Sequence, residues 1–297
     1  MKQDLPLEKI LDQGKKIFSV EFFPPKSDAM GEQLIKAAEK IKPLNPDFVT
    51  ITYGAGGSTR QRTLDYACKL KDEVGFSVMP HLTCVGHSKA ELLDILKSFH
   101  DTGFKNIMAL RGDPPKGETN FKPHPEGLAY ASELVALIKE NYPEFSLGVA
   151  GYPEKHMEAV DLQSDISSLA HKVSQGASFV TTQLFFDNQY YFKYVELCKE
   201  AGISIPILPG ILPALSLDQL RKFCSFGGSS IPAELESRLT AVAGNKEQEA
   251  EVGETWAFEQ IKELLERGAP GVHFYILNRS KTVCSLMQRL KDSGIEI

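Results

Sequence analysis

Two carboxylates stand out by the company they keep. Glu21 lies in an apolar run, between Val20 and the pair Phe22 and Phe23. Loss of water there favours the neutral acid and raises a carboxyl pKa. A carboxylic acid held in that state is a candidate general acid. Asp113 follows Arg111 and Gly112 at the abrupt end of the short apolar run 107–110, and Pro114 and Pro115 stop further ladder pairing. The adjacent cation keeps Asp113 ionised, which suits a hydrogen-bond acceptor. Two carboxylates in contrasting surroundings point to divided roles. The plainer alternative for Glu21 is an ion pair inside the protein, with Arg111 as a partner.

Other chemistry-bearing groups are weaker signals alone. The run Gly54, Ala55, Gly56, Gly57, Ser58 could cradle a phosphate through backbone N–H groups. Lys155, His156 and Lys172 flank one helix and could meet a diphosphate, although charged helix residues are more often solvated. His81 has no second histidine or cysteine at ligand spacing, so no metal site is expected. Cys68, Cys84, Cys198, Cys224 and Cys284 are scattered and lack a Cys-x-x-Cys pair, which favours free thiols in a reducing cytosol. A net charge of -6 argues against nucleic acid as the main partner. The N-terminus lacks an apolar segment like a signal peptide, and no apolar run is long enough to span a membrane.

The elements that must position these groups read as strands alternating with helices. Strands are expected at 17–23, 48–53, 78–84, 107–110, 147–150, 179–186, 205–212 and 272–277, the seventh interrupted by prolines. Helical spacing of apolar residues marks 34–41, 59–74, 92–99, 128–141, 161–175, 191–198, 216–226 and 279–291. A long, mostly acidic helical insertion, 232–268, precedes the last strand and carries Trp256. Most βα units recur about every 30 residues. The strand count and the near-continuous apolar strands favour a closed (β/α)8 TIM barrel over a doubly wound sheet. No Gly-x-Gly-x-x-Gly follows the first strand, and no linker divides the chain, so a single catalytic barrel domain, 1–297, is expected. Chemistry in such barrels sits at the C-terminal ends of the strands. Those ends offer Glu21, Thr52, His81, Arg111 with Asp113, Tyr152, Gln183, and Tyr275 with Arg279. Any one of them could be a satisfied core polar group. Their recurrence at one end of successive strands favours a site.

Several of these segments, taken together, make the chain similar to the methylenetetrahydrofolate reductase family. They are Val20-Glu21-Phe22-Phe23-Pro24-Pro25, Val49-Thr50-Ile51-Thr52-Tyr53-Gly54-Ala55, Pro80-His81-Leu82-Thr83-Cys84 and Ala109-Leu110-Arg111-Gly112-Asp113. Further along come Ala150-Gly151-Tyr152-Pro153, Thr182-Gln183-Leu184-Phe185-Phe186, Pro209-Gly210-Ile211 and His273-Phe274-Tyr275-Ile276-Leu277-Asn278-Arg279. They keep the family's order from the first strand to the last. The resemblance ends with the barrel, as in short bacterial members, without the regulatory domain of the eukaryotic enzymes.

The resemblance implies a barrel carrying non-covalent FAD, reduced by NADH or less often NADPH, and then oxidised by methylenetetrahydrofolate at the same flavin face. Glu21 matches the acid that protonates the folate as its five-membered ring opens, and the product is methyltetrahydrofolate. Asp113 matches the residue that holds the pterin and tunes the flavin. Gln183 matches a substrate-binding amide, and Gln219, Phe223, Tyr275 and Arg279 match positions around the folate, with Phe223 offering a ring face to the aminobenzoyl group. Thr52, Ala55, His81, Arg111, Gly112, Tyr130, Ala131, Tyr152, His156, Asp165 and Lys172 match flavin contacts. Ser168 and His171, also in that set, stand where an asparagine and an arginine often occur. The alternatives are a flavin-independent reductase passing hydride directly from nicotinamide to folate, and a non-catalytic barrel that binds folate. Assembly into a homo-oligomer is left open.

Overall fold

A strand covered on both faces has no reason to alternate, and this chain's strands are buried almost throughout. A computed structural model describes residues 5–11, 14–54, 60–114, 117, 121–295 and 297. The strands are β1 (Ile17–Phe22), β2 (Phe48–Ile51), β3 (Val78–Thr83), β4 (Asn106–Leu110), β5 (Ser146–Gly151), β6 (Phe179–Thr182), β7 (Ile207–Leu208), β8 (Gly210–Ile211) and β9 (Gly271–Tyr275). They form one sheet in the order β7-β6-β5-β4-β3-β2-β1-β9-β8, and every described pairing is parallel. β7 pairs with β6 and β8 with β9, so the two edge pieces are halves of one barrel position.

Pro209 separates those halves. It has no N–H for a ladder, yet its carbonyl accepts the His273 N–H at 2.9 Å, and the Gly210 N–H finds the Thr182 hydroxyl at 2.9 Å. The seventh strand is therefore split rather than continuous over 205–212, and the (β/α)8 barrel closes across the break. The sixth strand also stops earlier than expected. The Gln183 side chain accepts the Leu184 N–H at 2.9 Å, a local bond that competes with the ladder.

The helices lie in α1 (Leu7–Leu11), α2 (Asp28–Ile41), α3 (Arg60–Lys69), α4 (Lys89–Thr102), α5 (Ala131–Asn141) and α6 (Leu162–Ser174). After these come α7 (Asn188–Glu200), α8 (Leu217–Gly227), α9 (Ala233–Ala241), α10 (Lys246–Glu266) and α11 (Ser280–Asp292). α3 runs on through a π turn, Leu70–Val74, which ends at left-handed Gly75. The short α1 was not expected, because Leu7, Ile10 and Leu11 span little more than one turn of a polar entry segment. Its Leu7 N–H is bonded to the Asn106 side chain at 2.7 Å, and Leu7 closes the barrel floor with Ile17, Phe48, Met79, Met108, Phe179 and Leu208.

The period of two along a strand then dictates what lies above that floor. Two residues beyond Ile17, Phe48, Met79 and Phe179 come Ser19, Thr50, His81 and Thr181, all buried. Glu21 follows two residues after Ser19 on the same face of β1. The barrel therefore changes from apolar to polar along its axis toward the strands' C-terminal ends.

The insertion before β9 is two helices, α9 and α10. They share a second apolar cluster with α8 and the segment after β6, including Leu184, Phe186, Leu220, Leu235 and Leu239. The Trp256 indole N–H donates to the Phe186 carbonyl at 3.0 Å, and Arg221 of α8 pairs with Glu236 of α9 at 2.7 Å. Its structural effect is to prop α8, which carries Gln219 and Phe223. Among the described residues, no helix is long and apolar enough to cross a membrane.

Candidate active site

Glu21 points its carboxylate into the polar end of the barrel and is 7 % exposed. Its Oε2 lies 3.4 Å from Thr50 Oγ1, 3.5 Å from His81 Nε2 and 3.7 Å from His273 Nε2. Ser19 Oγ in turn sits 2.8 Å from His273 Nδ1 and 3.5 Å from the Val272 carbonyl. Ser19 thus partners Nδ1 of His273, and the Nε2 of that ring faces Glu21. Burial drives the His81 pKa down to about 4, against the opposing pull of Glu21, so this imidazole is neutral near pH 7. Glu21 accepts from Thr50, with the two imidazoles close by but outside hydrogen-bonding geometry.

The alternative pairing of Glu21 with Arg111 does not occur. Arg111 instead makes a two-point bond to Glu158, Nη1 to Oε2 at 2.6 Å and Nη2 to Oε1 at 2.7 Å. That bond raises the arginine pKa and lowers the Glu158 pKa. The Phe121 ring lies 4.8 Å from the guanidinium. Gly112 has φ +88°, and a Cβ there would come within 2.7 Å of Val85, so the turn into Asp113 needs glycine. Asp113 is exposed at the mouth.

The loop after β5 supplies a second group. Tyr152 is half-buried and meets the His156 ring edge-on at 4.7 Å. The His156 N–H donates to Asp165 Oδ2 at 3.0 Å. Lys172 reaches inward, contrary to the solvated alternative, and its Nζ donates to the Ala150 carbonyl at 2.7 Å. Burial lowers its pKa to about 8 despite the help of Asp165. Burial likewise raises the Asp165 pKa and lowers that of His156, the latter with a smaller push from Arg111.

Farther out, Ser168 and His171 are both exposed on α6, and Ser168 Oγ donates to the Ser164 carbonyl at 3.0 Å. His171 lines a groove between α5 and α6 with Ser132, Glu133 and Gln175. Tyr130 is exposed, and Ala131 begins α5 beside that groove. Thr52 is tied to its neighbours through its backbone, with its N–H on Phe22 and its carbonyl on Thr63. Ala55 and the rest of the glycine run, 56–58, lie outside the described residues.

On the other side of the mouth, Gln219, Tyr275 and Arg279 line one crevice with Leu212 and Leu277. The Tyr275 hydroxyl donates to the Thr182 carbonyl at 2.7 Å. Gln183 is half-buried near Gly227, at the end of α8, and Phe223 is half-buried against the second apolar cluster. Sequence reasoning gave no role to Ser19, Thr50, His273 or Glu158. The period of two linked Ser19 to Glu21, and the register of β1 with β9 sets Ser19 against His273.

A model of the family described as methylenetetrahydrofolate reductase matches residues 6–291. The chain belongs to the methylenetetrahydrofolate reductase family. It is 38% identical over 269 residues to 5,10-methylenetetrahydrofolate reductase of Escherichia coli K12, which covers 91% of this chain and 88% of that protein. It is 35% identical over 294 residues to methylenetetrahydrofolate reductase (NADH) 1 of Arabidopsis thaliana, covering 96% of this chain but 50% of the plant protein. The chain thus spans about half the length of that plant relative. The barrel also superposes on a solved structure from Clostridium thermocellum, an uncharacterized protein binding two copies of 5-methyl-5,6,7,8-tetrahydrofolic acid, with a TM-score of 0.67. That match is 18% identical and covers 97% of this chain and 100% of the other, a likeness of fold.

Proposed function

We propose that this member of the methylenetetrahydrofolate reductase family uses NAD(P)H and bound FAD in ping-pong fashion to reduce 5,10-methylenetetrahydrofolate to 5-methyltetrahydrofolate. The observation that carries the reading is the buried Glu21, set between Thr50, His81 and His273 at the polar end of the barrel. Such an acid serves a reaction that needs a proton in a place water does not reach freely. The plant relative, methylenetetrahydrofolate reductase (NADH) 1, favours NADH as reductant. Free thiols throughout suit a reducing cytosol.

The residues fit FAD. His81 Nε2 is buried without a hydrogen-bond partner among the described residues, and Lys172 holds a charge that burial resists. Both are groups that a polar, anionic ligand would satisfy. Thr52, His81, Arg111, Gly112, Tyr152, His156, Asp165 and Lys172 would hold the cofactor, with Ala55, Tyr130, Ala131, Ser168 and His171 completing the set. Bound FAD would supply the hydride chemistry that side chains lack. Glu21 gives its proton to the folate nitrogen released as the five-membered ring opens. Asp113 accepts from the donor edge of the pterin, and Gln183, Gln219, Tyr275 and Arg279 orient the substrate while Phe223 stacks on it. The polar lining around Glu21 keeps the acid oriented between turnovers.

The purified protein is expected to be yellow, and added FAD should raise its melting temperature, because a ligand bound only by the folded state stabilises it by mass action. A colourless protein, unshifted by FAD yet fully active, would remove the flavin from the proposal and favour direct transfer from nicotinamide. Asp113→Asn exchanges one acceptor oxygen for a donor. Folate affinity should then fall by roughly 1.5–3 kcal/mol, the range for hydrogen bonds to charged groups. Unchanged affinity in a folate titration of the flavin-loaded variant would exclude that role.

A further inference from the structure

Glu158 belongs to no strand end, yet it touches two groups that address the cofactor in the reading above. Its side chain grips the Nη1–Nη2 edge of Arg111 through bonds of 2.6 and 2.7 Å. Its main-chain N–H donates to His156 Nδ1 at 3.1 Å. That second bond makes Nδ1 an acceptor, so a neutral His156 carries its proton on Nε2 and presents it as a donor. The first bond uses two of the five guanidinium N–H groups. The Nε–H and the outer hydrogen on each Nη have no partner among the described residues. Phe121 covers the guanidinium at 4.8 Å, and the arginine side chain is 21 % exposed. A planar fork gripped along one edge and covered by a ring has little freedom left, and the remaining donors keep a fixed direction.

We infer that Glu158 is a positioning residue for the cofactor's anionic group, presetting Arg111 through its side chain and His156 through its main chain. The inference rests on the flavin reading and goes beyond it by assigning work to a carboxylate that meets no ligand itself. Charge alone predicts the opposite of this role. Removing Glu158 leaves Arg111 unneutralised, and an anion should then bind more tightly. If orientation dominates, removal weakens binding. The sign of the effect separates the two.

The test is FAD titration of the apoprotein, followed by quenching of flavin fluorescence, for the native chain, Glu158→Gln, Arg111→Gln and the double variant. Glu158→Gln should bind FAD roughly tenfold more weakly, the scale of one charge-assisted hydrogen bond misplaced. Its apoprotein should melt close to the native temperature, because a carboxylate that is 54 % exposed adds little to stability. In the Arg111→Gln background the same change should do nothing further, since its effect passes through the arginine. Glu158→Asp should recover part of the affinity. Native-like or tighter binding by Glu158→Gln, or an equal loss in the Arg111→Gln background, overturns the inference while leaving the flavin reading standing. Failure of the native chain to bind FAD overturns both.

Discussion

Glu21→Gln should leave reduction of the flavin by NADH near its native rate and slow its reoxidation by methylenetetrahydrofolate by about 10²-fold or more, the contribution typical of a lost general acid. The amide keeps the shape of the acid, so Thr50, His81 and His273 retain a neighbour of the same size 3.4 to 3.7 Å away. What it loses is a proton that can be transferred. Ring opening of the folate needs that proton, and reduction of the cofactor by nicotinamide does not. Stopped-flow measurement of each half-reaction separates the two. Equal damage to both would make Glu21 a structural member of the barrel interior.

The second large effect concerns stability rather than rate. His81 has a folded-state pKa of about 4, against an ordinary value of 6.5, because its ring is buried. Between pH 6.5 and 4 the unfolded chain therefore binds a proton that the folded chain refuses. Stability from this residue is complete above pH 6.5 and falls as the pH drops through that window. At 1.36 kcal/mol per unit, a shift of about 2.5 units corresponds to roughly 3 kcal/mol. His81→Gln removes the titration, so denaturation curves at pH 7, 6, 5 and 4 should show a shallower decline for the variant than for the native chain. Parallel declines would mean that His81 accepts its proton in the folded protein, through Glu21 beside it.

The parts of this architecture that were legible in the chain are those with a local cause. A strand covered on both faces is a continuous apolar run, and β1 and β3 announce themselves that way. Polar residues closing such runs, Glu21 and Arg111 among them, mark the mouth because side chains alternate with a fixed period. Pro206 and Pro209 gave warning of the weak seventh strand, though not that its halves would pair with different neighbours. α1 is five residues long, too short for Leu7, Ile10 and Leu11 to stand out as a stripe; packing of Leu7 and Ile10 on the barrel floor and the bonds to Asn106 hold it in place.

Partners distant in the chain were not legible. Ser19 and His273 are 254 positions apart, and their contact exists because β1 and β9 close the barrel. Nothing local in the sequence pointed Arg111 toward Glu158, 47 positions away. The choice of Glu158 follows from the path of the loop after β5. Lys155 there takes φ +70°, and its amine ties the loop together through the Ala159 carbonyl at 3.0 Å. For Lys172 the sequence left a diphosphate contact and a solvated helix charge side by side, and the inward face of α6 directs it to the Ala150 carbonyl.

The most direct test of the account is an anaerobic titration of the FAD-loaded protein, watched through the visible flavin band and ended by chromatography of the folate. One equivalent of NADH should bleach the flavin with no folate present. Methylenetetrahydrofolate added afterwards should restore the colour and yield about one equivalent of 5-methyltetrahydrofolate, as expected when the bound cofactor carries the reducing equivalents. A flavin that NADH cannot bleach, or product that forms only when NADH and folate are present together, would contradict it.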